Sequence, residues 1–152
     1  HRSDYSKGTQ RFYRADFGEN NFHVKYMCRK LSREVLKQDC QFIRVYANIQ
    51  FNGMDGTFHN DDGDFTILYM VTPTLKFNGQ FQYRQDGKII DVDFIQNRLV
   101  WFPGSSLEHR GLSPDTDLPR VTVAFKVISV PETWDKDPEQ DKKEHNSIAK
   151  GS

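Results

Sequence analysis

Two cysteines, Cys28 and Cys40, are all that the 152 residues hold. That is too few for a disulfide framework. They read as free thiols in a reducing compartment, with a single bridge as the alternative. Net charge is also missing, since Lys plus Arg and Asp plus Glu stand at 21 each. A neutral total gives no electrostatic reason to expect nucleic acid or an anionic membrane as partner, although a local basic patch is compatible with it. No apolar run reaches the roughly 18 residues of a membrane-spanning helix. No signal-peptide pattern opens the chain. The expectation is a cytoplasmic protein with no membrane partner.

What is present is ordinary in bulk. Hydrophobic residues make up 36% and charged residues 28%, as in a globular domain. The length suits a single domain, which at this size buries roughly 70% of its unfolded surface. Aromatics reach 13%, with twelve Phe. Phe and Tyr favour strands, so a β-rich core is expected.

Three stretches divide the chain. Residues 1–40 form an N-terminal arm and a supporting helix. The arm carries the aromatic cluster Phe12, Tyr13 and Phe17 and is expected to be loosely ordered or a short strand. Helical spacing runs over 22–38, where Val24, Met27, Cys28, Leu31, Val35 and Leu36 share one face. Residues 41–130 form the core. From Gln41 the period becomes two, with Ile43, Val45, Ala47, Ile49 and Phe51 alternating with Arg44, Tyr46, Asn48 and Gln50. That pattern reads as a half-buried strand. Further strand-like runs follow at Phe65–Val71, Gly79–Arg84, Ile89–Phe94, Leu99–Phe102 and Val121–Val130, and Asp86-Gly87 between two of them is a hairpin signal. Short strands at regular spacing after one helix suggest a sandwich or a double-sheet jelly roll. Residues 131–152 are charged and without periodicity, and read as a polar tail.

His59-Asn60-Asp61 follows the turn cluster Asn52–Gly56. On an extended segment residues i and i+2 point the same way, so one His and one Asp can grip a cation together. His109 lies fifty residues on, where the open end of a jelly roll can bring it to the same place. Two imidazoles and one carboxylate make a facial triad that leaves positions on iron for a co-substrate and dioxygen. The plain alternative is two surface histidines and a turn aspartate. A second alternative is local, because Asp61, Asp62 and Asp64 around Gly63 resemble a carboxylate-rich calcium loop. Arg120 opens the run Val121–Phe125, and its guanidinium can clasp the far carboxylate of a dicarboxylic co-substrate. Otherwise it caps an edge strand. Tyr69 can donate to the same carboxylate, or it is a core Tyr with its hydroxyl at a wet rim.

Taken in order, six stretches resemble the prolyl 4-hydroxylase-like branch of the Fe(II)/2-oxoglutarate oxygenases. They are Phe58-His59-Asn60-Asp61, Thr66–Met70, Phe77–Phe81, Asn97–Pro103, Glu108–Gly111 and Pro119–Phe125. Together they cover roughly Gln41 to Val130. The resemblance implies a mainly β fold, a double-stranded β-helix (jelly roll) with one or a few N-terminal helices packed on one side. It implies Fe(2+) held by His59, Asp61 and His109, and 2-oxoglutarate held by Arg120 with help from Tyr69. Dioxygen is the oxidant, and ascorbate is a further candidate cofactor. The implied activity is hydroxylation of an unactivated C–H with release of succinate and CO2. A prolyl residue of a peptide or protein is the first substrate, with a small molecule next. Retention of Asp61 implies hydroxylation rather than halogenation. The family often has Gly-Gly where this chain has Asn78-Gly79, and collagen-type members carry Lys where it has Arg120. The Tyr expected shortly before the first pair has three candidates, Tyr46, Asn48 and Gln50. Ile67, Leu99, Trp101 and Val123 are candidates for an apolar wall of the pocket, with their faces left open. Two rival functions stand beside this one. One is the same chemistry on a nucleic acid, whose demethylases carry an Arg pair where this chain has Arg120 and Lys126. The other is a non-catalytic β-sandwich binding module.

Overall fold

A computed structural model describes residues 2–3, 12–18, 20–73 and 78–129. Phe77, the tail at 131–152 and most of the arm before Phe12 lie outside the described residues.

Among the described residues the strands are β1 (Arg2–Ser3), β2 (Tyr13–Asp16), β3 (Cys40–Gln50), β4 (Phe65–Met70), β5 (Phe81–Gln85), β6 (Lys88–Val92), β7 (Leu99–Phe102), β8 (His109–Gly111) and β9 (Arg120–Ser129). They form a large antiparallel sheet in the order β1-β2-β3-β9-β4-β7 and a small one in the order β6-β5-β8. A bridge between His59 and His109 adds the segment before β4 to the small sheet. From β3 onward the chain passes repeatedly from one sheet to the other: β3 and β4 lie in the large sheet with the bridging His59 segment between them, β5 and β6 in the small one, then β7, β8 and β9 alternate. This is the double-stranded β-helix, a jelly roll in which two sheets close over one interior.

The predicted helix is present in two parts. Helix α1 (Phe22–Lys30) starts at Asn21, whose side chain accepts from the Val24 amide, as N-caps do. It runs on as a π-helical segment over Leu31–Leu36 and stops at Lys37, which adopts φ 53°. The apolar stripe serves the whole length. Met27, Cys28, Val35 and Leu36 pack with buried Leu31 onto Ile67, Phe125 and Val127, on the outer face of the large sheet. A second core, of Met70, Phe81, Phe94 and Phe102, lies between the sheets. Each such side chain stabilises the fold by roughly 1.5–3 kcal/mol on burial. Asp86 and Gly87 both have positive φ (51° and 74°) in the β5–β6 turn, as a two-residue type I′ hairpin requires.

Strand β3 corrects one expectation. The alternation reads as a half-buried strand with Tyr46, Asn48 and Gln50 on its polar face. Ile43 is 36% and Phe51 43% exposed, whereas Tyr46 is 7% and Gln50 4% exposed. The face with the polar residues points into the jelly roll, because the interior there is a polar cavity rather than a hydrocarbon core. The same parity error displaced the apolar wall. Ile67 pairs with Trp101, and Tyr69 pairs with both Leu99 and Val123, so all five occupy the outer face. The apolar side chains that do line the cavity include Leu68, Phe81 and Ala124.

Candidate metal centre

His59 and His109 sit directly opposite each other, each amide donating to the other's carbonyl at 3.1 and 3.0 Å. Their rings therefore leave the same side of the small sheet, with centroids 4.4 Å apart. Asp61, two residues on, keeps that direction and is pinned by its amide donating to Gly104 O at 2.8 Å. A ligand nitrogen or oxygen from each of the three lies within 4.8 Å of the others. Phe102 and Phe81 brace the His109 ring at centroid distances of 4.5 and 5.7 Å.

The histidine tautomers follow from their neighbours. His59 Nδ1 lies 2.8 Å from Thr57 O, and His109 Nδ1 lies 2.8 Å from Leu107 O. A carbonyl can only accept, so each Nδ1 donates its proton there, and each Nε2 is the ring nitrogen directed inward. Both Nε2 atoms face a carboxylate: His59 Nε2 is 3.4 Å from Asp61 Oδ1, and His109 Nε2 is 3.1 Å from Asp61 Oδ2. With both Nε2 atoms deprotonated, two lone pairs and a carboxylate this close repel one another unless a positive charge lies between them. Two nitrogens and one carboxylate suit a first-row divalent ion such as Fe(II).

Asp61 has two further partners. Thr66 Oγ1 donates to its Oδ2 at 2.7 Å, and the Lys126 ammonium forms an ion pair with the same oxygen. Lys126 also donates to Thr66 Oγ1 at 3.2 Å. Burial works against the Asp61 carboxylate, but His109, His59 and Lys126 outweigh it and hold its pKa well below the ordinary range. Burial pushes the Lys126 pKa down, and the charge of Asp61 pulls it back. Gly104 makes the cluster possible: a Cβ there would stand 2.4 Å from Thr66 Oγ1 and 3.1 Å from Asp61 Cβ.

Arg120 lies in the same cavity, together with the triad, Gln50, Asn48 and Tyr46. It is 2% exposed. Its Nε donates to Gly79 O at 2.7 Å and its Nη1 to Gln50 Oε1 at 2.9 Å. Its Nη2 is buried with no hydrogen-bond partner among the described residues, as is Asn48 Oδ1. Burial lowers the guanidinium pKa to about 10, which leaves it charged at neutral pH. A buried cationic donor beside a polar cavity is a ready partner for a carboxylate. Gly111 lets it sit there, since a Cβ at Gly111 would meet Nη1 at 2.9 Å and Cζ and Nη2 at 3.1 Å.

The cavity therefore collects His59, Asp61, His109 and Arg120, and all three of Tyr46, Asn48 and Gln50. Tyr69 is not among its lining residues. Its hydroxyl donates to Asn97 Oδ1 and its ring packs with the outer core, because residue 69 has the outward parity of Ile67. The calcium-loop alternative disperses. Asp62 pairs with Arg44, and Asp64 accepts from the Ser129 amide at 2.7 Å. Sequence reasoning missed Thr66, Gly104 and Gly111 as parts of the site, and named Lys126 only under the nucleic-acid rival. For Lys126 a signal was available, because six residues after Arg120 on one strand means the same face.

No family model matches the chain, and no curated protein matches it. Solved structures do. A prolyl hydroxylase from Trichoplax adhaerens, in complex with a hypoxia inducible factor peptide fragment, aligns with TM-score 0.66 at 15% identity. That alignment covers 80% of this chain and 64% of the other, so this chain spans just under two thirds of its length. A viral collagen prolyl hydroxylase from Paramecium bursaria Chlorella virus-1, in complex with 2OG, aligns with TM-score 0.64 at 14% identity, covering 80% of this chain and 81% of that one. A Pseudomonas putida prolyl-4-hydroxylase aligns with TM-score 0.62 at 13% identity, over 84% and 77% respectively. At these identities the likeness is one of fold, and the chain has the double-stranded β-helix fold of prolyl 4-hydroxylases and 2OG-Fe(II) oxygenases.

Proposed function

We propose that this protein is an Fe(II)/2-oxoglutarate-dependent oxygenase that hydroxylates a prolyl residue of a peptide or protein. The observation that carries the reading is the convergence of two imidazole Nε2 atoms on one carboxylate, in a cavity that also holds a buried arginine. His59, Asp61 and His109 would hold the iron, and Arg120 would take the far carboxylate of 2-oxoglutarate through its unpartnered Nη2. Iron, 2-oxoglutarate and dioxygen together would supply the oxidation, by which R–H becomes R–OH while 2-oxoglutarate is converted to succinate and CO2.

The chain's own residues supply orientation and exclusion of water. The carbonyls of Thr57 and Leu107 lock the two imidazoles in the ligating tautomer. Gln50 and the Gly79 carbonyl fix the plane of the Arg120 guanidinium. Gln50 is itself held, donating to Met54 O at 2.8 Å and Gly111 O at 3.1 Å. Leu68, Phe81 and Ala124 give the cavity an apolar side. The peptide bound to the Trichoplax neighbour supports a peptide substrate.

The test is turnover on a panel of proline-containing peptides with Fe(II), 2-oxoglutarate and air. Stoichiometric succinate and a mass gain of one oxygen atom on the peptide are expected. Succinate release stimulated by another class of molecule, with every peptide unmodified, would overturn the prolyl assignment.

A further inference from the structure

Lys126 is an unusual neighbour for a metal ligand. It is 3% exposed and in ion-pair contact with Asp61 Oδ2. The Thr66 hydroxyl occupies the same oxygen and accepts from the same ammonium. Oδ2 thus has two donors and also lies 3.1 Å from His109 Nε2, whereas Oδ1 faces only His59 Nε2, at 3.4 Å. A buried carboxylate without a counter-charge is strongly unfavourable, and so is a second cation brought close to a buried ammonium. Both effects act on one pair of atoms.

We propose that Lys126 is the resident counter-ion of the metal carboxylate, stabilising the metal-free site and restraining Asp61 to offer a cation one oxygen, Oδ1. The inference rests on the metal reading of the triad and goes beyond it. Lys126 keeps the site assembled before the ion arrives, and its charge weakens the hold on the ion afterwards. By linkage, whatever Lys126 contributes to the metal-free fold beyond the loaded one is subtracted from metal affinity. Lys126 acts through Asp61 and is a positioning residue.

The experiment compares wild type, Lys126→Met and Lys126→Arg, with Mn(II) as the probe. Binding is measured directly, and chemical unfolding is followed with and without the ion. Lys126→Met removes the charge and keeps most of the volume. It should bind Mn(II) at least about tenfold more tightly than wild type. It should lose stability when metal-free and recover it when loaded. Lys126→Arg keeps the charge and should stay within about threefold of wild type. If metal-free Lys126→Met does not fold, refolding on addition of Mn(II) is the same result in its extreme form. Failure to fold with Mn(II) present would overturn the proposal. An equal or weaker constant in Lys126→Met, with wild-type binding intact, refutes the role of Lys126 alone. Binding in neither protein refutes the metal centre, and the inference with it.

Discussion

Gly111→Ala is the substitution that separates the co-substrate subsite from the metal subsite. Gly111 has no positive φ, so alanine brings no backbone strain and the effect is steric. The added methyl would stand 2.9 Å from Arg120 Nη1 and 3.1 Å from both Cζ and Nη2. The guanidinium has to retreat by roughly half an ångström to reach ordinary contact. It is wedged between Gly79 O, Gln50 and the Phe94 ring, so retreat strains at least one hydrogen bond of a charged group. Such a bond is worth about 1.5–3 kcal/mol, which corresponds to about a 10- to 150-fold loss of 2-oxoglutarate affinity. His59, Asp61 and His109 are not among the nearest atoms to that methyl, so Mn(II) affinity should change by less than about threefold. Calorimetric titration of Mn(II), then of 2-oxoglutarate into the loaded protein, reads both constants. Unchanged 2-oxoglutarate affinity in a folded variant would refute the assignment of Arg120 as the carboxylate clamp.

Three further outcomes are expected. Tyr69→Phe should leave the 2-oxoglutarate requirement for turnover within about threefold of wild type, since its hydroxyl serves Asn97 and the loss is one side-chain hydrogen bond away from the cavity; a large increase would return Tyr69 to the site. Ile67→Ala, at a fully buried position of the outer core, should cost about 2–5 kcal/mol in chemical unfolding and leave Mn(II) affinity alone; coupled loss of both would mean that the outer core shapes the site. Burial raises the Cys28 pKa to about 11. A raised acid stays neutral in the folded state after the unfolded chain has begun to ionise, so stability from this group falls as pH rises from about 9 towards about 11. Alkylation of the native protein should therefore rise with pH far later than that of the unfolded chain, and coincident profiles would contradict burial of Cys28 between α1 and the large sheet.

The sequence made some of this architecture legible because local chemistry and tertiary role agreed. The stripe from Met27 to Leu36 is apolar because it covers the sheet. Asp86-Gly87 is a hairpin turn because both residues tolerate positive φ. The pair His59 and Asp61 shares a direction through simple strand parity. Failure came where the interior is polar. Tyr46, Asn48 and Gln50 look like a solvent face, yet they line the cavity, and a parity slip of one residue turns every side chain of a strand over. That single slip misplaced Ile67, Tyr69, Leu99, Trp101 and Val123 together. Strand β8 is His109-Arg110-Gly111, too short and too polar to signal itself, and it exists through pairing with β5 and the bridge to His59. The roles of Gly104 and Gly111 depend on side chains tens of positions or fewer away in sequence but touching in space, which no local pattern encodes.

The most direct test of the metal centre is an anaerobic titration of Fe(II) into the protein with 2-oxoglutarate, followed by visible absorption. A weak charge-transfer band that needs both additions, saturates at one iron per chain and is absent in Asp61→Ala is the expected result. No band in wild-type protein shown to be folded would mean that His59, Asp61 and His109 do not assemble around iron, and the binding-module alternative would then stand in place of the oxygenase.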